Sequence, residues 1–176
     1  MLVTYSLIVA NVLVYVLLQL AGEPLYIITA QTGYLFFAGA YWQIVTAMFV
    51  HFDILHIGFN MYALYYYGRL NEMAYSRAEY LAIYFGAGLL GNALSLVLIP
   101  PDIQTGGASG AIFGLIGAYA ARSRNAVGMV LALVYAGFIF IASSGPGVNI
   151  YAHLFGIVGG FALGLLFTRM RAGEGE

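Results

Sequence analysis

Asn149-Ile150-Tyr151-Ala152-His153-Leu154-Phe155-Gly156-Ile157-Val158-Gly159-Gly160-Phe161-Ala162-Leu163-Gly164 is an apolar run carrying a single histidine and no Asp, Glu, Lys or Arg. His153, Gly156, Gly160 and Gly164 are spaced by three, four and four, so they share one face of a helix. Small residues repeated on one face let a second helix approach closely, which is how helices associate where no water drives them together. Continued to about residue 169, the run reaches the roughly 20 mainly apolar residues that a membrane span needs.

The rest of the chain supports that reading. Of its 176 residues 62% are hydrophobic and 7% charged, against about 25% charged in a soluble domain. A chain this apolar needs lipid rather than water around most of its surface. Six candidate spans are read at about 2–21, 50–70, 78–99, 107–122, 126–143 and 149–169. Glu23-Pro24, Pro100-Pro101-Asp102 and Ser143-Ser144-Gly145-Pro146-Gly147 punctuate them. The expected fold is an all-α membrane protein, a six-helix transmembrane bundle forming one domain over residues 1–176. Leu2 to Leu20 has no preceding Lys or Arg and exceeds the roughly 7–15 residues of a signal-peptide core, so it is read as a retained first helix. The connection at about 22–49 mixes Glu23, Gln31, Gln43 and Trp42 with Tyr34-Leu35-Phe36-Phe37. That mixture suits either an amphipathic segment in the headgroup region or an ordinary structured loop.

All six cations are arginines: Arg69, Arg77, Arg122, Arg124, Arg169 and Arg171. In the six-span reading every one falls on the same side, and the positive-inside rule puts that side and both termini in the cytoplasm of a plasma-membrane protein. The net charge of −1 gives no reason to expect a nucleic acid partner. The chain has no cysteine, which removes disulfides and thiolate chemistry.

Polar groups placed within a bilayer are expensive and point to function. Three clusters lie towards the side opposite the arginines. Gly106-Gly107-Ala108-Ser109-Gly110 opens the fourth stretch. The first-turn N–H groups of a helix have no partner within it and stand ready for a developing oxyanion beside the serine. A serine N-cap with packing glycines is the plainer alternative. The second cluster is His153. If the Gly110, Gly114, Gly117 face packs on the Gly156, Gly160, Gly164 face, serine and imidazole meet at similar depth, as activation of a hydroxyl requires. The third is His51-Phe52-Asp53-Ile54-Leu55-His56-Ile57-Gly58-Phe59-Asn60, where His56 and Asn60 share a face and suit hydrogen-bond donation towards Ser109. Three histidines without thiolates or a His-Glu-x-x-His pattern make a metal site a poor reading, and no metal or cofactor is expected. No carboxylate follows in the last three stretches to orient His153, so a dyad rather than a triad is expected.

At this point the chain resembles the rhomboid family of intramembrane serine proteases. The resemblance rests on Gly107-Ala108-Ser109-Gly110, on His56 and Asn60 four apart, and on Ala152-His153 followed by Gly156 and Gly160, in that family's order and on its host helices. It implies a serine endopeptidase that cleaves single-span membrane proteins near the outer face of the bilayer, with Ser109 as nucleophile and His153 as base and then acid. His56, Asn60 and the Ser109 N–H are implied as the oxyanion hole, and Phe113 as the ring packing on the histidine. The 22–49 connection would match the family's membrane-embedded first loop, and 144–148 its cap over the site. Where the family's loop often carries Trp-Arg, this chain has Trp42-Gln43. Lateral access between the second and fifth helices, past Phe138 or Phe140, is also implied. The competing readings are a small transporter or channel lined by Ser109, His56, Asn60 and His153, and a silent binder of membrane helices. Transport would want polar residues continuing to the arginine side, where the second, fourth and sixth stretches are mainly apolar or glycine apart from tyrosines. The sequence leaves the oligomeric state open.

Overall fold

A computed structural model describes residues 1–123, 126–142 and 148–173. The fold there is all-α: α1 (Leu2–Ala21), α2 (Glu23–Thr29), α3 (Gly33–Phe37), α4 (Gln43–Thr46), a 3-10 turn (Ala47–Phe49), α5 (Ile54–Glu72), α6 (Arg77–Ser95), α7 (Ser109–Arg122), α8 (Ala126–Ala142) and α9 (Ile150–Gly173). Arg124, residues 144–147 of the expected cap and the Phe140 side chain lie outside the described residues.

Each of the six apolar stretches becomes a helix, with shifted ends. The second begins at Ile54 because Asp53 caps it, its carboxylate accepting from the His56 N–H at 2.8 Å. The residues before it belong to a separate element: Gln43–Phe49 is bent by 91° from α5. The third stops at Ser95 rather than 99, just ahead of Pro100-Pro101. The fourth begins at Ser109 because Gly107 has φ +135°, outside helical space and open to glycine. The sixth continues to Gly173. Helices α1 and α9 are each long and apolar enough to cross a membrane, and a third span results if the bent pair is counted as one. With 14 and 17 residues, α7 and α8 are shorter than the about 20 of a full span.

Helix α7 is the centre of the fold. Every residue from Ser109 to Ala118 is buried, which marks a helix enclosed on all sides. It packs chiefly on α9 and next on α6. The α7–α9 contact is backbone to backbone: a Cβ on Gly160 would overlap the Gly114 carbonyl, and one on Gly156 the Gly110 carbonyl. Helix α1 lies on α5 and has no side-chain cap of its own. Glu72 at the far end of α5 supplies one, accepting from the N–H groups of Val3 (2.9 Å) and Thr4 (3.0 Å) and from the Thr4 hydroxyl (2.6 Å). A carboxylate on first-turn N–H groups also meets the positive end of the helix dipole. Arg171 of α9 pairs with Glu79 of α6, tying the same end of the bundle.

The 22–49 connection is polar inside and apolar outside. Gln31 and Gln43 are buried, while Ile28, Tyr34, Phe37 and Trp42 are exposed. The Gln43 amide donates to the Ile27 carbonyl (3.0 Å) and accepts from the Thr32 N–H (3.2 Å). Gln31 donates to the Asn92 carbonyl of α6 (3.0 Å) and forms a bridge with Thr105. Where the family's loop often carries Arg after Trp, the buried Gln43 of this chain satisfies the loop's backbone groups.

Candidate active site

Ser109 is the first residue of α7 and His153 lies in the first turn of α9. The Asn149 side chain caps α9 by accepting from the Ala152 N–H (2.8 Å), and its amide donates to Ser95 of α6 (2.7 Å). That tie and the glycine contact between α7 and α9 fix both chemical groups on rigid backbone. Ser109 Oγ and His153 Nε2 are 2.6 Å apart. Phe113, one turn after the serine, lies flat on the imidazole with centroids 4.4 Å apart and planes 6° apart. The histidine is fully buried and the serine nearly so.

His56 comes to the same place from α5. A methyl group on Gly107 would lie 2.9 Å from His56 Nε2 and 3.3 Å from Ser109 Oγ. The absent side chain therefore leaves a small space bounded by the imidazole of one helix and the hydroxyl of another. Asn60 is buried one turn further along the same face, its amide donating to the His56 carbonyl at 2.9 Å. One N–H of that amide is so engaged, and the group carries two. The structure thus gathers Ser109, His153, Phe113, Gly107 and His56. Gly110, Gly156 and Gly160 lie beneath them, and Asn60 lies deeper on α5.

His51 is a part of this arrangement that sequence reasoning does not assign. It is fully buried. Its Nδ1 meets the Phe49 carbonyl at 3.2 Å, its Nε2 accepts from the Ala108 N–H at 3.4 Å, and its ring lies edge-on to His56 at 5.0 Å. The Gly107 N–H donates to the Ala47 carbonyl at 2.9 Å. The turn before α5 therefore holds the turn before α7. The available signal is an ionisable residue two positions ahead of an Asp cap, but its partner is a backbone group 57 residues away, which no spacing encodes.

A serine bonded to a histidine across two glycine-packed helices, in an all-α membrane bundle, defines the class. The rhomboid domain family model matches residues 38–170, and the chain belongs to the rhomboid family. It is 33% identical over 181 residues to the rhomboid protease GluP of Bacillus subtilis, covering 92% of this chain and 35% of GluP. It is also 33% identical over 141 residues to YdcA of the same bacterium, covering 76% of this chain and 70% of YdcA. Rhomboid-like protease 2 of Toxoplasma gondii is 30% identical over 136 residues, covering 72% of this chain and 48% of that protein. The chain thus spans about a third of GluP and about half of the Toxoplasma relative.

Proposed function

We propose that the chain is an intramembrane serine endopeptidase acting on single-span membrane proteins. The observation that carries this reading is the 2.6 Å contact between Ser109 Oγ and His153 Nε2 at the buried start of α7. His153 takes the hydroxyl proton as Ser109 attacks the scissile carbonyl, and returns it to the leaving amine, so that an acyl-enzyme forms and the C–N bond breaks. Water then attacks the acyl group, again giving up a proton to His153, and Ser109 is restored. The Ser109 N–H, His56 and Asn60 stabilise the oxyanion, which the space beside Gly107 suits in size and position. Phe113 keeps the imidazole in plane for both transfers.

The architecture is a single six-span domain. Helices α7 and α8 complete the bundle although short. Both termini lie with the arginines on the cytoplasmic side of the plasma membrane, and the site opens towards the outer face. A helical substrate bonds its own carbonyls, so the scissile bond lies where its helix can unwind.

The test compares wild type with Ser109→Ala in liposomes holding a single-span test substrate. Cleavage by wild type alone is expected. Equal cleavage by both would remove Ser109 from the chemistry, and no cleavage by either across several substrates would count against a protease.

A further inference from the structure

His153 stands in the first turn of α9, and helix ends are where a helix frays. One turn below it Gly156 locks α9 against the Gly110 carbonyl. Above it the helix ends at its cap, Asn149, four residues before the histidine. Towards α6 this first turn meets backbone: a methyl group on Gly91 would lie 2.6 Å from the Ala152 carbonyl oxygen. That contact stops α9 from moving closer to α6 but does not hold it there. The pull comes from Ser95, one turn along α6 from Gly91, whose Oγ accepts from the Asn149 amide at 2.7 Å.

The Ser95 side chain is fully buried and fully used. Its hydroxyl donates to the Asn92 carbonyl at 2.8 Å and, besides Asn149, accepts from the Gln31 amide at 3.4 Å. A hydroxyl offers one hydrogen and two lone pairs, so three partners on three segments fix its orientation. Gln31 also reaches the segment that leads to Ser109, exchanging two backbone bonds of 2.8 Å with Thr105. Asn149 in turn accepts from the Ala152 N–H through its side chain (2.8 Å) and from the His153 N–H through its carbonyl (3.2 Å). Hydrogen bonds thus run from the segment before the nucleophile to the backbone of the base, with Ser95 in the middle. An N-cap needs only the side-chain oxygen of Asn149. The amide nitrogen bonded to a second helix is an addition to it.

We propose that Ser95 is a positioning residue for catalysis. Through Asn149 it holds the first turn of α9, and with it the His153 imidazole, at bonding distance from Ser109. It acts through Asn149 and not on the reacting atoms. The inference rests on the protease reading of the Ser109–His153 pair. Without the hydroxyl, the buried amide of Asn149 loses its acceptor, which is costly enough to turn the side chain and disturb the cap.

The test compares wild type, Ser95→Ala, Asn149→Ser and the double variant, all as the full chain. Cleavage of a single-span substrate in liposomes gives kcat and KM, and the thermal midpoint is read in mild detergent. Serine caps a helix about as well as asparagine but carries no amide to Ser95, so Asn149→Ser cuts the tie and keeps the cap. Each single variant should lose about 100-fold in kcat, the effect of about 1 Å of misplacement. KM should stay within about twofold of wild type, as for an interaction that serves the transition state alone, and the midpoint should be nearly kept. The double variant should be no slower than the slower single one, because both changes remove the same bond. Wild-type kcat in either single variant would overturn the proposal, as would losses that multiply in the double variant or that only follow the midpoint down. If Ser95→Ala does not fold, Asn149→Ser decides alone by its kcat and midpoint. An active wild type with unaffected variants removes only the role of Ser95, whereas a wild type that cleaves nothing removes the protease reading and this proposal with it.

Discussion

The two sides of α7 are built in opposite ways. Towards α9 the helices touch through backbone, with glycine against carbonyl at Gly156 and Gly160 and no side chain between them. On the α5–α8 side large rings stand apart around a cavity of about 640 Å³. The first arrangement has no rotamer to change, so the separation of the backbones that carry Ser109 and His153 is set by helix packing. The second has many side chains that can repack. The proposed protease would need both: a hydroxyl and an imidazole held in place, and a wall that yields. These duties would then fall to different faces of one buried helix.

Breaking the rigid side should give the largest effect. Gly160→Val places atoms where the Gly114 carbonyl already sits, and overpacking of this kind costs on the order of 3 kcal/mol or more when only backbone is available to move. We expect loss of cleavage together with a much lower thermal midpoint; a variant that melts like wild type would show that the helices are free to slide. Next comes the turn that holds the serine. His51→Leu leaves the Ala108 N–H without its acceptor, and a displacement of the nucleophile of about 1 Å costs on the order of 100-fold in rate. Activity and the labelling of Ser109 by a small fluorophosphonate should both fall while the thermal midpoint stays near that of wild type, and a collapsed midpoint would mean that the protein has simply unfolded.

Smaller still is Glu72→Gln. It keeps the shape of the α1 cap but removes its charge, and about 1–2 kcal/mol of stability should go with it. Chemical denaturation in mixed micelles reads that change directly, and an unaltered midpoint would mean that α1 holds its place by lipid contact. The least effect on stability belongs to the loose side. Phe138→Ala lies at an exposed position on α8, where substitutions stay within about 0.5 kcal/mol. Turnover of a single-span substrate should rise if α8 obstructs access, and unchanged turnover would separate the groove from catalysis.

This contrast also explains which parts of the molecule the sequence discloses. The glycine face of α9 is periodic and α7 carries a matching one, so the meeting of Ser109 with His153 follows from residue spacing once those two faces are paired. The reach of each apolar run is legible too, but its ends are not. Val50, His51 and Phe52 continue the hydrophobic character of α5, and only the Asp53 cap, with its bond to the His56 N–H, separates them. The 22–49 connection defeats pattern reading for a related reason. Its glutamines point inward to satisfy backbone carbonyls while its aromatic residues point outward, the reverse of the rule by which soluble segments are read. His51 stays hidden because it serves a backbone N–H far away in sequence.

The brevity of α7 has one more consequence. From Ser109 to Arg122 it rises about 20 Å, at 1.5 Å per residue over its 14 residues, against a hydrocarbon thickness of about 30 Å. If, as proposed, Arg122 lies at the cytoplasmic surface, the helix acts as a ruler that measures cleavage depth from the inside of the cell outward. Thickening the bilayer would then bury the serine further beneath the outer surface while its height above the inner one stayed fixed. The bond cut in a given substrate should accordingly keep its distance from the substrate's cytoplasmic flank when lipids of different chain length are compared, and a cut that tracked the outer flank instead would show that the gauge is read from the other end.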